Sequence, residues 1–238
     1  MFMKNYLSFT FIVLVLISSS ALSAFAGPKA LVYNGAGACK DDCAKAAFDS
    51  AVQAGFDAVY VGDQETDPTI FNGASVWLQP GGYAGVAMNN MAPALKKNLK
   101  NFIYNGGGYV GFCAGAFVAT SRVGTTRVQG LGIISGSTKL YGKGIRMFKT
   151  LWQGSERYLY WEGGPYFRNM PDTVEQTGAY PNGANAAVRT TYGKGRVWVT
   201  GLHPESPQWW KDESGYADVD GDDRDLVTRM LHWVTEAH

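Results

Sequence analysis

Cys113, His203 and Glu205 are the side chains from which this sequence could build a reaction. Cys113 stands in Gly111-Phe112-Cys113-Ala114-Gly115, directly after the apolar pair Tyr109-Val110. His203 and Glu205 stand in Gly201-Leu202-His203-Pro204-Glu205, directly after Val197-Trp198-Val199. G-x-C-x-G is the thiol version of the nucleophile elbow, a sharp strand-to-helix turn that exposes a side chain at the carboxyl end of a sheet. Glycines on both sides allow a turn that a Cβ would obstruct. The first amides of the following helix can then stabilise negative charge on the sulfur. A strand ending in His-x-Glu supplies a base for the thiol and a carboxylate to orient the imidazole. Pro204 fixes its own φ, so the two side chains project from a stiff segment. Each residue has a plainer reading: Cys113 as a small buried hydrophobe, His203 as a satisfied strand-end histidine, Glu205 as a surface acid. The elbow glycines favour the Cys113–His203–Glu205 triad.

Acyl transfer through a thiol also needs two donors for an oxyanion. The amide of Ala114, the residue after the nucleophile, is one candidate. Gly81 or Gly82 in Gln79-Pro80-Gly81-Gly82 is the other, although Pro-Gly would equally make an ordinary tight turn. Val32-Tyr33-Asn34-Gly35-Ala36-Gly37, Gln79-Pro80-Gly81-Gly82, the elbow, Gly163-Gly164-Pro165-Tyr166-Phe167 and His203-Pro204-Glu205 follow one another in that order. The cysteine followed by a later strand ending in His-Pro-Glu resembles the class I glutamine amidotransferases. The whole set resembles the amidotransferase-like domain at the N-terminus of some eukaryotic biotin–protein ligases and in free-standing bacterial proteins. That resemblance runs from about Ala30 to the C-terminus. It implies an α/β fold with a flavodoxin-like, mostly parallel sheet flanked by helices, and it makes Glu162 and Tyr166 candidate substrate contacts. It does not imply biotin ligation, which needs a separate catalytic domain.

The first 26 residues read as a signal peptide rather than as part of the fold. Lys4 gives a positive start, Phe9 to Ile17 an uncharged apolar core, and Ala24-Phe25-Ala26 a small-x-small cleavage site. The apolar core is too short to span a hydrocarbon layer of about 30 Å. The expectation is an exported protein, periplasmic or secreted, with 27–238 as a single domain and no membrane attachment after cleavage. Lys4 is one of the 21 basic residues, so the mature chain carries 20 Lys and Arg against 20 Asp and Glu. A neutral chain without a basic run gives no electrostatic reason to expect nucleic acid. The partner expected is a small-molecule or peptide substrate. Seven Trp and thirteen Tyr are enough to furnish both core and cleft walls.

Cys39 and Cys43 are expected to form a local disulfide, since four-residue spacing in a helix brings Cα atoms to about 6 Å and export favours oxidation; the plainer reading is two free thiols on one helix face. Cys113 would then be the unpaired thiol. Gly35 and Gly37 lack the third glycine and the Lys-Ser/Thr pair of a phosphate loop, so no nucleotide cofactor is expected. Asp218, Asp220, Asp222 and Asp225 alternate like calcium ligands. The pattern fails at Asp223, where a glycine is wanted, and at Arg229, where a glutamate is wanted. A solvated acidic loop is the expectation, and no metal.

The elements that must position these groups follow from periodicity. Ala30–Tyr33, Ala58–Val61, Ser75–Leu78 and Tyr109–Gly111 read as buried strands. They alternate with helices at Asp41–Ala54, Pro93–Tyr104 and Ala114–Ser121, a pattern that predicts a parallel sheet. From Gly130 to Val199, short β-rich runs separated by Gly, Asn and Pro predict an antiparallel extension returning the His-bearing strand beside the elbow. A last helix is expected through Trp233, capped by Asp222 or Asp223. The function expected is thiol hydrolysis of an amide or related C–N bond. The alternative is a non-catalytic binding scaffold. With no synthase segment in the sequence and export expected, ammonia channelling is disfavoured.

Overall fold

Residues 27–236 are described by the computed structural model; the signal-peptide reading falls on residues outside that range. One sheet of eleven strands runs through the molecule, and its first part is parallel. β1 (Lys29–Tyr33), β2 (Asp57–Val61), β3 (Ala74–Gln79), β4 (Gly108–Phe112) and β11 (Gly195–Thr200) lie in the order β2-β1-β3-β4-β11, all parallel. β3 carries the apolar run Val76-Trp77-Leu78 and β4 is buried throughout, because both of their faces are covered, as parallel strands between helices require. α1 (Lys45–Gln53) and α6 (Arg224–Thr235) pack against each other on one face. α2 (Ala84–Asn90), α3 (Pro93–Tyr104) and α4 (Ala114–Ala119) belong to the core on the other. Leu95, Leu99 and Ile103 of α3 are fully buried, as their spacing predicts.

Beyond β11 the sheet turns antiparallel. β10 (Asn185–Tyr192), β9 (Glu175–Ala179), β6 (Ile145–Trp152) and β7 (Ser155–Glu162) follow in that order, while β5 (Ser137–Leu140) and β8 (Pro165–Arg168) pair beside β10. The Tyr192-Gly-Lys-Gly195 turn closes the β10–β11 hairpin, with Gly193 at φ 62°. Two helices escape the sequence reading. α2 is one, and α5 (Gln208–Ser214), just after the His-Pro-Glu segment, is the other. The first helix also begins differently: Lys40–Ala44 is wound as a π-turn before α1 starts at Lys45. Among the described residues no helix is long and apolar enough to cross a membrane.

The acidic loop is organised around two cations, a buried Lys211 and a half-buried Arg157, rather than left to solvent. Lys211 Nζ, on a side chain 1 % exposed, donates to Asp218 at 2.7 Å, Asp223 at 2.9 Å and the Gly221 carbonyl at 2.7 Å. Arg157 reaches from β7 to Asp223 at 2.8 Å, Asp225 at 2.7 Å and Asp220 at 3.2 Å. Burial pushes the Asp223 carboxyl up to about 6, against the pull of Lys211 and Arg157. The alternating aspartates thus satisfy an ammonium and a guanidinium, and they tie α5 and α6 to β7. Asp223 stands at the N-cap of α6, but the side-chain capping bond comes from Asp222, which accepts from the Arg224 amide at 3.0 Å.

Candidate active site

β4 and β11 are neighbours, with Gly111 opposite Val199 and Phe112 opposite Thr200. The residues that follow their carboxyl ends therefore emerge side by side, although about ninety positions separate them. The Cys113 amide donates to the Thr200 carbonyl at 2.8 Å, which fastens the elbow to the strand that delivers His203. Cys113 itself sits at φ 47°, ψ −99°, a conformation that L-residues avoid and that is held only where the surroundings fix it. The two glycines make this possible by close approach. A Cβ on Gly115 would drive into the Gln79 carbonyl, and one on Gly111 would lie 2.8 Å from the Gly115 backbone.

His203 is 3 % exposed and Glu205 1 % exposed. His203 Nδ1 and Glu205 Oε1 are 2.8 Å apart, which leaves Nε2 for the thiol; Cys113 lies within hydrogen-bonding reach of the ring. Burial works against a charged imidazole, but Glu205 and Cys113 outweigh it and hold the His203 pKa well above the usual histidine value. Glu205 Oε2 has no hydrogen-bond partner among the described residues, so that buried carboxylate hydrogen-bonds the imidazole alone. The ring is further fixed by its own amide, which donates to the Tyr160 carbonyl at 2.9 Å. Tyr160 and Trp210 pack edge-on against it, at centroid separations of 5.8 and 5.5 Å. At rest the Cys113 thiol donates to the Glu162 carbonyl at 3.3 Å.

These groups open into a cavity of about 820 Å³. Cys113, His203, Glu162, Gly82 and both other cysteines line it. Gly81 lies just behind the imidazole, since a Cβ there would stand 2.8 Å from His203 Cε1. The amides of Gly81, Gly82 and Ala114 are given to no backbone acceptor among the described residues, and Ala114 opens α4, where no intrahelical acceptor exists. Asp42, Glu162 and Glu213 are on the wall and no Lys or Arg is, so the local field favours neutral or cationic ligands over anions. A second depression of about 560 Å³, between Phe71, Phe102 and Thr235, is lined by no titratable side chain.

Two of the expected site features are placed differently in this structure. Tyr166 does not line the cavity. It lies on β8 and packs against Tyr141 at 6.2 Å, because the Gly163-Gly164 turn redirects the chain after Glu162. The Cys39–Cys43 disulfide is not formed, and both residues are free thiols. Cys39 stands outside the helix in an extended conformation, at φ −78° and ψ 91°, and the turn after it closes from the Ala44 amide to the Cys39 carbonyl at 2.9 Å. Both cysteines thus stand on one wider turn with their thiols free. The sequence reading missed Tyr83, Tyr160, Trp209, Trp210 and Glu213 on the cavity wall. The one available signal was Pro207 before Gln208-Trp209-Trp210, a helix start that follows the His-Pro-Glu segment at once.

Over residues 29–141 the sequence matches the family described as biotin-protein ligase, N terminal. A solved glutamine amidotransferase superposes with a TM-score of 0.64 at 17 % identity, over 88 % of this chain and 99 % of that one. The PurLQS structure from Thermotoga maritima superposes with a TM-score of 0.62 at 17 % identity, over 86 % of this chain and 97 % of that one. At such identity the likeness is one of fold. No curated protein matches the chain in sequence.

Proposed function

We propose, from a class I glutamine amidotransferase-like fold with a biotin–protein ligase N-terminal-like segment at residues 29–141, that the chain is a thiol hydrolase. Its substrate is an amide or related C–N bond, and it works after export. The observation that carries this reading is the adjacency of the β4 and β11 ends, with a strained thiol next to a buried imidazole–carboxylate pair. His203 Nε2 takes the Cys113 proton as the sulfur adds to the carbonyl carbon. The amides of Ala114 and of Gly81 or Gly82 receive the oxyanion. Collapse breaks the C–N bond, and His203 returns the proton to the leaving nitrogen. Water, deprotonated by His203, then adds to the thioester and releases the acid and the free thiol. Glu205 keeps the imidazole oriented and stabilises it while it is charged.

Labelling with a thiol-directed electrophile tests the assignment. The native chain should be modified first at Cys113, and His203→Ala should slow that modification on the order of tenfold or more, within the range general-base assistance provides. Equal rates in the two proteins would remove His203 as base. An acyl group trapped on Cys113 from neutral and cationic amides would identify the leaving group. Rapid labelling without any trapped acyl group or amine release would favour the binding scaffold. Protein recovered outside the cytoplasm should begin at Gly27 on N-terminal sequencing; retention inside the cell with residues 1–26 intact would refute export.

A further inference from the structure

Three thiols line the cavity, and the reaction above uses one. Cys39 is half-buried at the cavity wall, while Cys43 is 8 % exposed behind it, packed with Ala46, Tyr160 and Trp210. Cys39 packs against that same cluster. Cys43 Sγ lies 3.1 Å, and His203 Cε1 2.8 Å, from the point where a Cβ on Gly81 would stand, so thiol and imidazole flank one bare backbone carbon. The neighbouring Cys43 thiol brings the Cys39 thiol down to about 7 against its burial, with His203 adding to the effect, while the Cys39 thiol and burial push Cys43 up. One accessible sulfur that holds its charge near neutrality, backed by one buried sulfur that keeps its proton, is an attacking and a resolving thiol. The Ala44 amide bonds the Cys39 carbonyl at 2.9 Å, so both cysteines stand on one closed turn at the cavity wall, with Cys39 the more accessible.

We propose that Cys39 and Cys43 form a second reactive centre in this cavity, a dithiol that reduces low-molecular-weight disulfides. Cys39 attacks one sulfur of the incoming disulfide; the Cys39–S bond forms, the S–S bond breaks, and one thiol leaves with the Cys39 proton. Cys43 then attacks Cys39 Sγ, forming Cys39–Cys43 and expelling the second thiol with its own proton. The small disulfide gains two electrons and two protons, and the pair loses them. An external dithiol returns the pair to its starting state. Cys113 takes no part, so the proposal stands or falls apart from the hydrolase reading.

Cys113→Ala protein treated with cystamine, a small cationic disulfide suited to the acidic wall, separates the outcomes. The expected product is a chain lighter by two hydrogens, with no adduct retained and two cysteamines released per chain, reversed by dithiothreitol. Cys43→Ser in the same background should hold one cysteamine on Cys39. Cys39→Ser should react at least tenfold more slowly, because the remaining thiol is buried. A stable cysteamine adduct on Cys39 with Cys43 present, release of one cysteamine instead of two, or no reaction in the folded chain would each overturn the proposal. Should Cys43→Ser not fold, the release stoichiometry in Cys113→Ala still decides the matter.

Discussion

At the scale of the residue, the site depends on what surrounds His203. Burial alone would make this imidazole harder to charge; Glu205 at 2.8 Å and Cys113 reverse that and raise its pKa. A raised histidine contributes stability that is fully present below the free value of about 6.5 and is lost as pH rises through the folded value. Glu205→Gln removes the carboxylate charge while keeping an acceptor for Nδ1. The melting-temperature gap between the native chain and Glu205→Gln should therefore be widest near about pH 6 and shrink as pH rises through the raised His203 value. A gap that stays constant across that range would show that Glu205 acts through packing and not through charge. The positions of these side chains at two strand ends were legible in the residues themselves, because Cys between spaced glycines and His-Pro-Glu after an apolar run are both local patterns. The cavity's aromatic wall was not legible, since Tyr160 and Trp210 carry no local mark that distinguishes a cleft residue from a core one.

At the scale of the element, α5 supplies Trp209, Trp210, Glu213 and Ser214 to the cavity, and Lys211 is its anchor. Burial disfavours the ammonium, but Asp218 and Asp223 outweigh that and raise its pKa, so it remains charged. Lys211→Met leaves Asp218 without its cation and Asp223 with Arg157 alone. Removing one partner of a buried pair costs about 3–5 kcal/mol, and that loss should appear in denaturant unfolding. Adding Asp218→Asn and Asp223→Asn to Lys211→Met should recover part of it, because the unpaired charges are gone. No recovery would mean that Lys211 matters for packing and not for pairing. The helix itself is seven residues long and begins at Gln208 with no side-chain cap, so propensity gave little sign of it. Its stability comes from contacts that the acidic loop makes, and alternating aspartates read as solvent-facing until a buried lysine is found among them.

At the scale of the molecule, one sheet carries the thiol and the imidazole on adjacent central strands. Tyr109, Val110, Val197 and Val199 are wholly buried, and both strands are paired on each side. The amides of Val110 and Val199 should exchange with solvent only through global unfolding, with the same apparent free energy as denaturant unfolding. Faster exchange at these positions than in α3 would show that the two strands open separately, which would leave the elbow and the imidazole poorly fixed to each other.

The alternation of apolar runs with helical periods determined the parallel half of the sheet, since period alone separates a buried strand from an amphipathic helix. The elbow and the His-Pro-Glu segment were likewise set by residues close in sequence, whose chemistry needs no distant partner to be recognised. The antiparallel character of the second half was also legible, but its strand order β11-β10-β9-β6-β7 was not, because register is fixed by partners that local pattern does not name. The state of Cys39 and Cys43 was decided by a π-wound turn and an extended N-cap, a matter of backbone geometry that spacing leaves open. Tyr166 left the cavity and α5 entered it for the same reason: which side chain faces a cleft depends on how distant elements pack around it, and that is settled only when the whole chain has folded.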